Sequence, residues 1–208
     1  MMDKLSSLYR DVLSYLRREL RRPLLAALIC LVLGIILGVG VGTAVPHSID
    51  DAMASFEAQV REAGIIGRDG SLSMAGLLAN NWRAMLIAFL CGAVPFLYLP
   101  AVSLLTNGML LGLLGTRFVT EGRGLLYYLA GILPHGIFEV AALVLSAACG
   151  VALCRYMKRL VTSDPQRQSA AQLLSELLRV MLLVVAPLTV LAAGVEAHLT
   201  PLILSLFP

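Results

Sequence analysis

Charge is what this sequence has least of. No Asp, Glu, Lys or Arg occurs from Leu24 to Ile49 or from Ala84 to Thr116, and between Arg123 and Arg155 the one charged side chain is Glu139. Only 14% of the 208 residues are charged and 59% are hydrophobic, where a soluble domain has about 25% and 45–50%. A chain so poor in polar side chains cannot cover a core against water. Its composition excludes a soluble globular domain and makes lipid the solvent of most of its length.

Other scarcities exclude chemistries. Histidine occurs at positions 47, 135 and 198 alone, with no His-Glu-x-x-His pair for a zinc protease. Cys30, Cys91, Cys149 and Cys154 fall in or beside apolar runs, where a thiol is a small apolar group, so neither a disulfide framework nor a cysteine metal site is read. There is no Walker loop, and Gly38, Gly40 and Gly42 lie in an apolar run rather than after a strand, so no nucleotide fingerprint is present. Aromatic residues make up 6% and are not interleaved with a basic surface, which argues against nucleic acid as a partner. No nucleophile stands beside a base, so the expectation is a non-enzymatic protein with no cofactor and no metal.

What is present is a series of apolar runs. A helix needs about 20 residues to cross the hydrocarbon core, which predicts spans at 24–45, 83–99, 102–119, 125–154 and 177–198. Pro95 and Pro100 place the turn between the second and third spans near Tyr98 to Ser103. The fold class expected is all-α: one polytopic transmembrane helix bundle over 1–208, of about five spans, with an amino-terminal amphipathic helix.

Lys and Arg concentrate in two segments. Residues 1–23 carry Lys4, Arg10, Arg17, Arg18, Arg21 and Arg22, and residues 154–179 carry Arg155, Lys158, Arg159, Arg167 and Arg179. The 46–82 loop is more acidic than basic. By the positive-inside rule, both basic segments are cytoplasmic, which an odd number of crossings satisfies with the carboxyl terminus outside. The protein is therefore expected in the bacterial inner (plasma) membrane. Leu5, Leu8, Val12, Leu16 and Leu20 repeat at helical spacing beside the arginines and read as an amphipathic helix on the inner leaflet. The apolar run that follows exceeds the 7–15 residues typical of a cleavable signal peptide, so the amino terminus is expected to stay intact. In the outward loop, Met53, Phe56, Val60, Ile65 and Ile66 predict a short surface helix before a turn at Gly67-Arg68-Asp69-Gly70.

Some residues need a reason to be where they are. Gly34, Gly38 and Gly42 recur every fourth residue on the first span, and Gly108 and Gly112 repeat that spacing on the third. Such small-residue stripes let helices approach closely, within one chain or between copies in a homo-oligomer. The fourth span contains Pro134, His135, Gly136 and Glu139. Ten residues from Leu125 at about 1.5 Å each bring His135 about 15 Å in, near the middle of the core. Glu139 follows one turn later on the same face. Pro134 and Gly136 predict a kinked or broken helix there. An ionisable pair at that depth is a functional site by default; as structural glue it would hydrogen-bond Asn107 of the neighbouring span. Asn80, Asn81 and Trp82 are placed to cap and anchor the start of the second span. Glu196 and His198 stand near the outer end of the last.

Asn80-Asn81-Trp82, Leu105-Thr106-Asn107-Gly108 with Leu111-Gly112, and Ile132-Leu133-Pro134-His135-Gly136 with Glu139 together resemble the stage II sporulation protein M family. Gly150, Glu196 and Thr200-Pro201 extend the resemblance over roughly residues 76–203. It implies a helical inner-membrane protein and, in spore formers, a scaffold holding partners that degrade septal peptidoglycan during engulfment. Two functions are carried forward. The first is a scaffold for other membrane or envelope proteins; the second is a small ion- or proton-coupled transporter or channel using His135 and Glu139.

Overall fold

The computed structural model describes residues 2–45, 47–62, 64–65, 72–164 and 168–207, and among them there are helices and no strands. The helices are α1 (Met2–Tyr15), α2 (Arg21–Ala44), α3 (His47–Glu62), α4 (Met74–Leu90), α5 (Leu99–Thr120), α6 (Leu125–Val161), α7 (Ala170–Val180), α8 (Ala186–Gly194) and α9 (Thr200–Leu204). Lipid supplies no hydrogen bonds, so a spanning backbone must satisfy its own, which only helices do in an open chain. Five helical stretches are long and apolar enough to cross a membrane: Ser6–Ala44, Met74–Ala93, Leu99–Thr120, Leu125–Val161 and Ala170–Leu204.

Two of these stretches are several helices run together, and every junction is a π-helical turn just before a proline. Leu16–Leu20 precedes Pro23, Met181–Val185 precedes Pro187, and Val195–Leu199 precedes Pro201. A proline ring collides with the carbonyl four residues back and offers it no N–H. Widening the turn before it relieves both: Ala186 N–H bonds Met181 O, and Thr200 N–H bonds Val195 O, each five residues back. The helix continues where a tighter turn would have broken.

Helix packing rests on glycine. α2 and α5 run parallel in the closest pairing of the bundle. A side-chain carbon added to Gly34 would strike the carbonyl of Leu105, and one on Gly38 that of Met109. In return, Gly108 faces the carbonyl of Leu31 and Gly112 that of Ile35. The stripe is therefore occupied within the chain. The other side of α2 presents Leu25, Leu28, Ile29, Val32, Ile36 and Leu37, all about half exposed, to the solvent. α4 and α6 form a second parallel pair. There the Ser146 hydroxyl donates to Met85 O, Gly92 abuts Gly150, and the Cys154 thiol reaches Val94 O at 3.3 Å. α6 also packs against α2, α5 and α8 and forms the centre.

Residues near the two chain stretches 2–20 and 168–180 meet at one end of the bundle, the basic end, where a cavity of about 410 Å³ lies between Tyr15, Arg18, Gln172, Glu176 and Arg179. At the opposite, loop end, α3 is fastened to α5 by an ion pair from Arg117 to Asp50, and Arg117 Nε also holds Glu121 at 2.6 Å. Ile65 is buried there with Leu77 and Ala193.

Several expectations change. The turn between the second and third spans lies at residues 91–98, not at Tyr98 to Ser103, because Pro100 sits in the first turn of α5, where its missing N–H has no intrahelical partner to lose. The second span begins at Met74, so Arg83 lies inside α4 and is exposed. Its start is capped by the Ser73 hydroxyl, which accepts from Gly76 N at 3.1 Å, and Asn80, Asn81 and Trp82 are interior helix residues. The amino-terminal helix does not stand alone: Val12, Tyr15 and Leu20 are buried in one core with Leu173, Leu177 and Val180, so its apolar stripe is covered by protein. Of the kinked or broken helix expected at Pro134 and Gly136, the break is absent: α6 is helical from Leu125 to Val161, which a membrane bundle tolerates when neighbours serve the freed carbonyl. The turn at Gly67-Arg68-Asp69-Gly70 and the side chains of Leu5, Met53, Phe56 and Ile66 lie outside the described residues.

Gly38→Leu should force α2 from α5 and lower stability by roughly 1–3 kcal/mol or more, read as thermal unfolding in detergent. Gly40, on the same helix with nothing within 4 Å, is the control: Gly40→Leu should leave the midpoint unchanged. Equal losses in both would remove glycine contact as the cause.

Candidate functional site

α6 and the last helix run antiparallel, and their contact builds the one cluster of three potential metal-ligating side chains among the described residues. Gly131 lies against Leu204, His135 against Thr200, and Glu139 near Glu196. His135 and Glu139 are four apart on α6, as Glu196 and Thr200 are on the facing helix, so each pair shares a helical face. One donor atom from each of His135, Glu139 and Glu196 lies within 4.8 Å of the others. The His135 side chain is 11% exposed and that of Glu139 36%, with Nε2 and Oε2 4.0 Å apart.

The imidazole is oriented by its other nitrogen. Nδ1 is 3.2 Å from the Thr200 hydroxyl, and that hydroxyl donates to Val195 O at 3.4 Å. With the ring proton on Nδ1, the Thr200 hydroxyl accepts from the imidazole; with it on Nε2, the hydroxyl donates to Nδ1. In the first tautomer Nε2 carries its lone pair on the side of Glu139. Val195 and Glu196 belong to the π-helical turn that precedes Pro201, a distortion that recurs at functional sites. Among the described residues neither the Glu139 nor the Glu196 carboxylate accepts a hydrogen bond or meets Lys or Arg. Among the described residues the ion pairs are Arg117 with Asp50 and Glu121, and Arg123 with Glu121, apart from the His135–Glu139 approach itself. The site can take up protons or a cation.

Asn107 is not part of it. Its amide donates to Ser103 O, 2.8 Å away on its own helix, because a short amide side chain reaches the preceding turn more readily than a neighbouring helix. Gly136 is buried beside Ile132, and Pro134 is a half-buried helix residue one position before His135. Glu196 belongs to the site, whereas His198 is exposed and does not. The sequence reading missed Thr200 as the partner of His135, although its spacing from Glu196 was a usable signal. It also missed Ser146, whose isolation in the apolar run after Glu139 marks a buried polar contact.

Asn81 is 4% exposed, and its Nδ2 has no partner. It lies one turn before Met85 on α4, on the side that packs against α6. Counting back the same eleven residues from Met85 and Ser146 along these parallel helices brings Met74, the start of α4, level with His135. A buried N–H donor without a partner costs about 1–3 kcal/mol. Asn81→Leu should therefore hold or raise the unfolding midpoint in detergent; a fall would mean that this amide serves a group that binds there.

The family model described as Stage II sporulation protein M matches residues 25–201, a stretch that includes His135, Glu139, Glu196 and Thr200. An uncharacterized protein of Methanocaldococcus jannaschii is 27% identical over 125 residues, which are 60% of this chain and 69% of that protein. No solved structure matches the chain. The match takes in all the spanning helices, from the first turns of α2 to the start of α9, and on that extent the chain belongs to the stage II sporulation protein M family.

Proposed function

We propose that this membrane protein is a non-enzymatic scaffold of the bacterial inner (plasma) membrane that holds envelope or septal partners at its loop end. The observation that carries this reading is the way α3 is held. The Arg117–Asp50 ion pair ties it to the end of α5, while Ala54, Ala58, Arg61 and Glu62 remain exposed along it. A short helix fixed at the end of a bundle offers a partner a surface whose ordering entropy is already spent. The family name, with its reference to sporulation, fits a role in envelope assembly. The orientation proposed has the amino terminus cytoplasmic and the carboxyl terminus outside. It is supported by the meeting of residues 2–20 and 168–180 at one end, since these overlap the two segments, 1–23 and 154–179, that carry eleven of the sixteen Lys and Arg.

A photo-crosslinking residue at Ala58 should give adducts with other proteins in intact cells, while one at the lipid-facing Leu33 of α2 should give lipid adducts. Lipid adducts alone at both positions would overturn the scaffold. Adducts between copies of this chain at Ala58 would make its partner a homo-oligomer.

The convergence of Glu196 with His135 and Glu139 favours a second reading, a small ion- or proton-coupled transporter or channel. In liposomes it predicts a flux that His135→Ala and Glu139→Gln abolish. Absence of flux in the wild type would dispose of it.

A further inference from the structure

We infer that His135, Glu139 and Glu196 bind one divalent transition-metal ion, of the zinc or manganese kind, between α6 and the last helix. This goes beyond the scaffold reading and is independent of it.

Reach supports the site first. Ligands of a tetrahedral ion bound at 2.0–2.2 Å stand about 3.4 Å apart. The three donor atoms already lie within 4.8 Å of one another, about 1.4 Å more than that spacing. The histidine is also set as a ligand would be. Metal-binding imidazoles give their outer N–H to a fixed acceptor, which orients the ring and turns the other lone pair inward. Here Nδ1 lies 3.2 Å from the Thr200 hydroxyl, which accepts from it in the Nδ1-protonated tautomer, and Nε2 faces Glu139.

Charge gives the third support. Two carboxyl groups side by side in an apolar bundle, with no Lys or Arg beside them among the described residues and only His135 within reach at 4.0 Å, repel each other when both are ionised. A divalent ion offsets both charges at once, where a protonated His135 would offset one. The donor set then narrows the ion. One imidazole nitrogen suits the borderline Zn²⁺, and two carboxylates suit both Zn²⁺ and the harder Mn²⁺. Ca²⁺ prefers a shell of six to eight oxygens, and Cu⁺ would call for sulfur, whereas none of the four cysteines joins the cluster. The site is built from helices on both sides, as metal sites in helical bundles are. One or two coordination positions remain for water or a further ligand.

The test uses the full chain purified in detergent, stripped with a chelator, loaded with Zn²⁺ alone and desalted. Bound metal is counted by mass spectrometry, and thermal unfolding is followed with and without Zn²⁺. Wild type and the exposed-histidine control His198→Gln should retain about one ion per chain, the count three protein ligands around a single centre require. His135→Gln and Glu196→Gln should lose the ion and the stabilisation it gives. Thr200→Val, which removes only the outer partner of the histidine, should weaken affinity by about 10–100-fold. Retention of no zinc by the wild type, or equal retention by His135→Gln and Glu196→Gln, would overturn the site. Should the ligand variants fail to fold, Co²⁺ in the wild type decides. Visible d–d absorption of a low-symmetry nitrogen and oxygen site that Zn²⁺ displaces supports the inference, and a spectrum of free aquated Co²⁺ overturns it.

Discussion

Everything in this molecule follows from a solvent that cannot hydrogen-bond. In hydrocarbon an exposed backbone N–H or C=O costs several kcal/mol, so the chain closes its hydrogen bonds within helices. Burial of apolar side chains from lipid drives little, because lipid is as apolar as leucine. Association must then come from close contact. The face-to-face approach of Gly34 and Gly38 with Gly108 and Gly112, and of Gly92 with Gly150, is how α2 joins α5 and α4 joins α6. Backbone comes near enough to backbone for dispersion and weak Cα–H···O contacts to accumulate.

The same constraint explains where the helices are irregular. Proline deletes a donor that lipid cannot replace, and the chain meets this in two ways. Ahead of Pro23, Pro187 and Pro201 the helix widens by one residue and keeps bonding. At Pro134 α6 stays α-helical. The difference matters to the site. α6 presents His135 and Glu139 on a regular helix, while the facing helix presents Glu196 from a widened turn that closes on Thr200, the residue that orients His135. One element is the fixed wall and the other carries the distortion.

Much of this was legible in the sequence, for reasons that show where reading stops. Charge-free runs and glycine spacing are one-dimensional patterns, so the existence of spans, their number and the presence of close-packing stripes could be read from them, while the parallel pairing of the first and third helices came from the structure. Helix ends were harder. The apolar count of the second span began after Arg83, but Ser73 caps the helix three turns earlier, because a single arginine that can reach past its neighbours does not stop a helix. Partner choice between distant segments was harder still. His135 and Glu139 announced themselves by depth; Glu196 and Thr200 lie some sixty residues away, and only the antiparallel register of α6 with the last helix brings them together. Asn107 went astray for the matching reason: its own helix offered a carbonyl closer than any partner.

That register also decides how the site relates to the rest of the protein. α4 starts level with His135, so beyond that level toward the loop end α4 no longer flanks the cluster. The Ile65, Leu77 and Ala193 core closes part of the gap, tying the segment after α3 to the helix that carries Glu196. A partner pulling on α3 and a ligand drawing Glu196 toward His135 would thus act on opposite ends of one packed unit. Coupling of this kind needs no long pathway. It needs Ala193 and Glu196 to move together, and less than one turn of helix separates them.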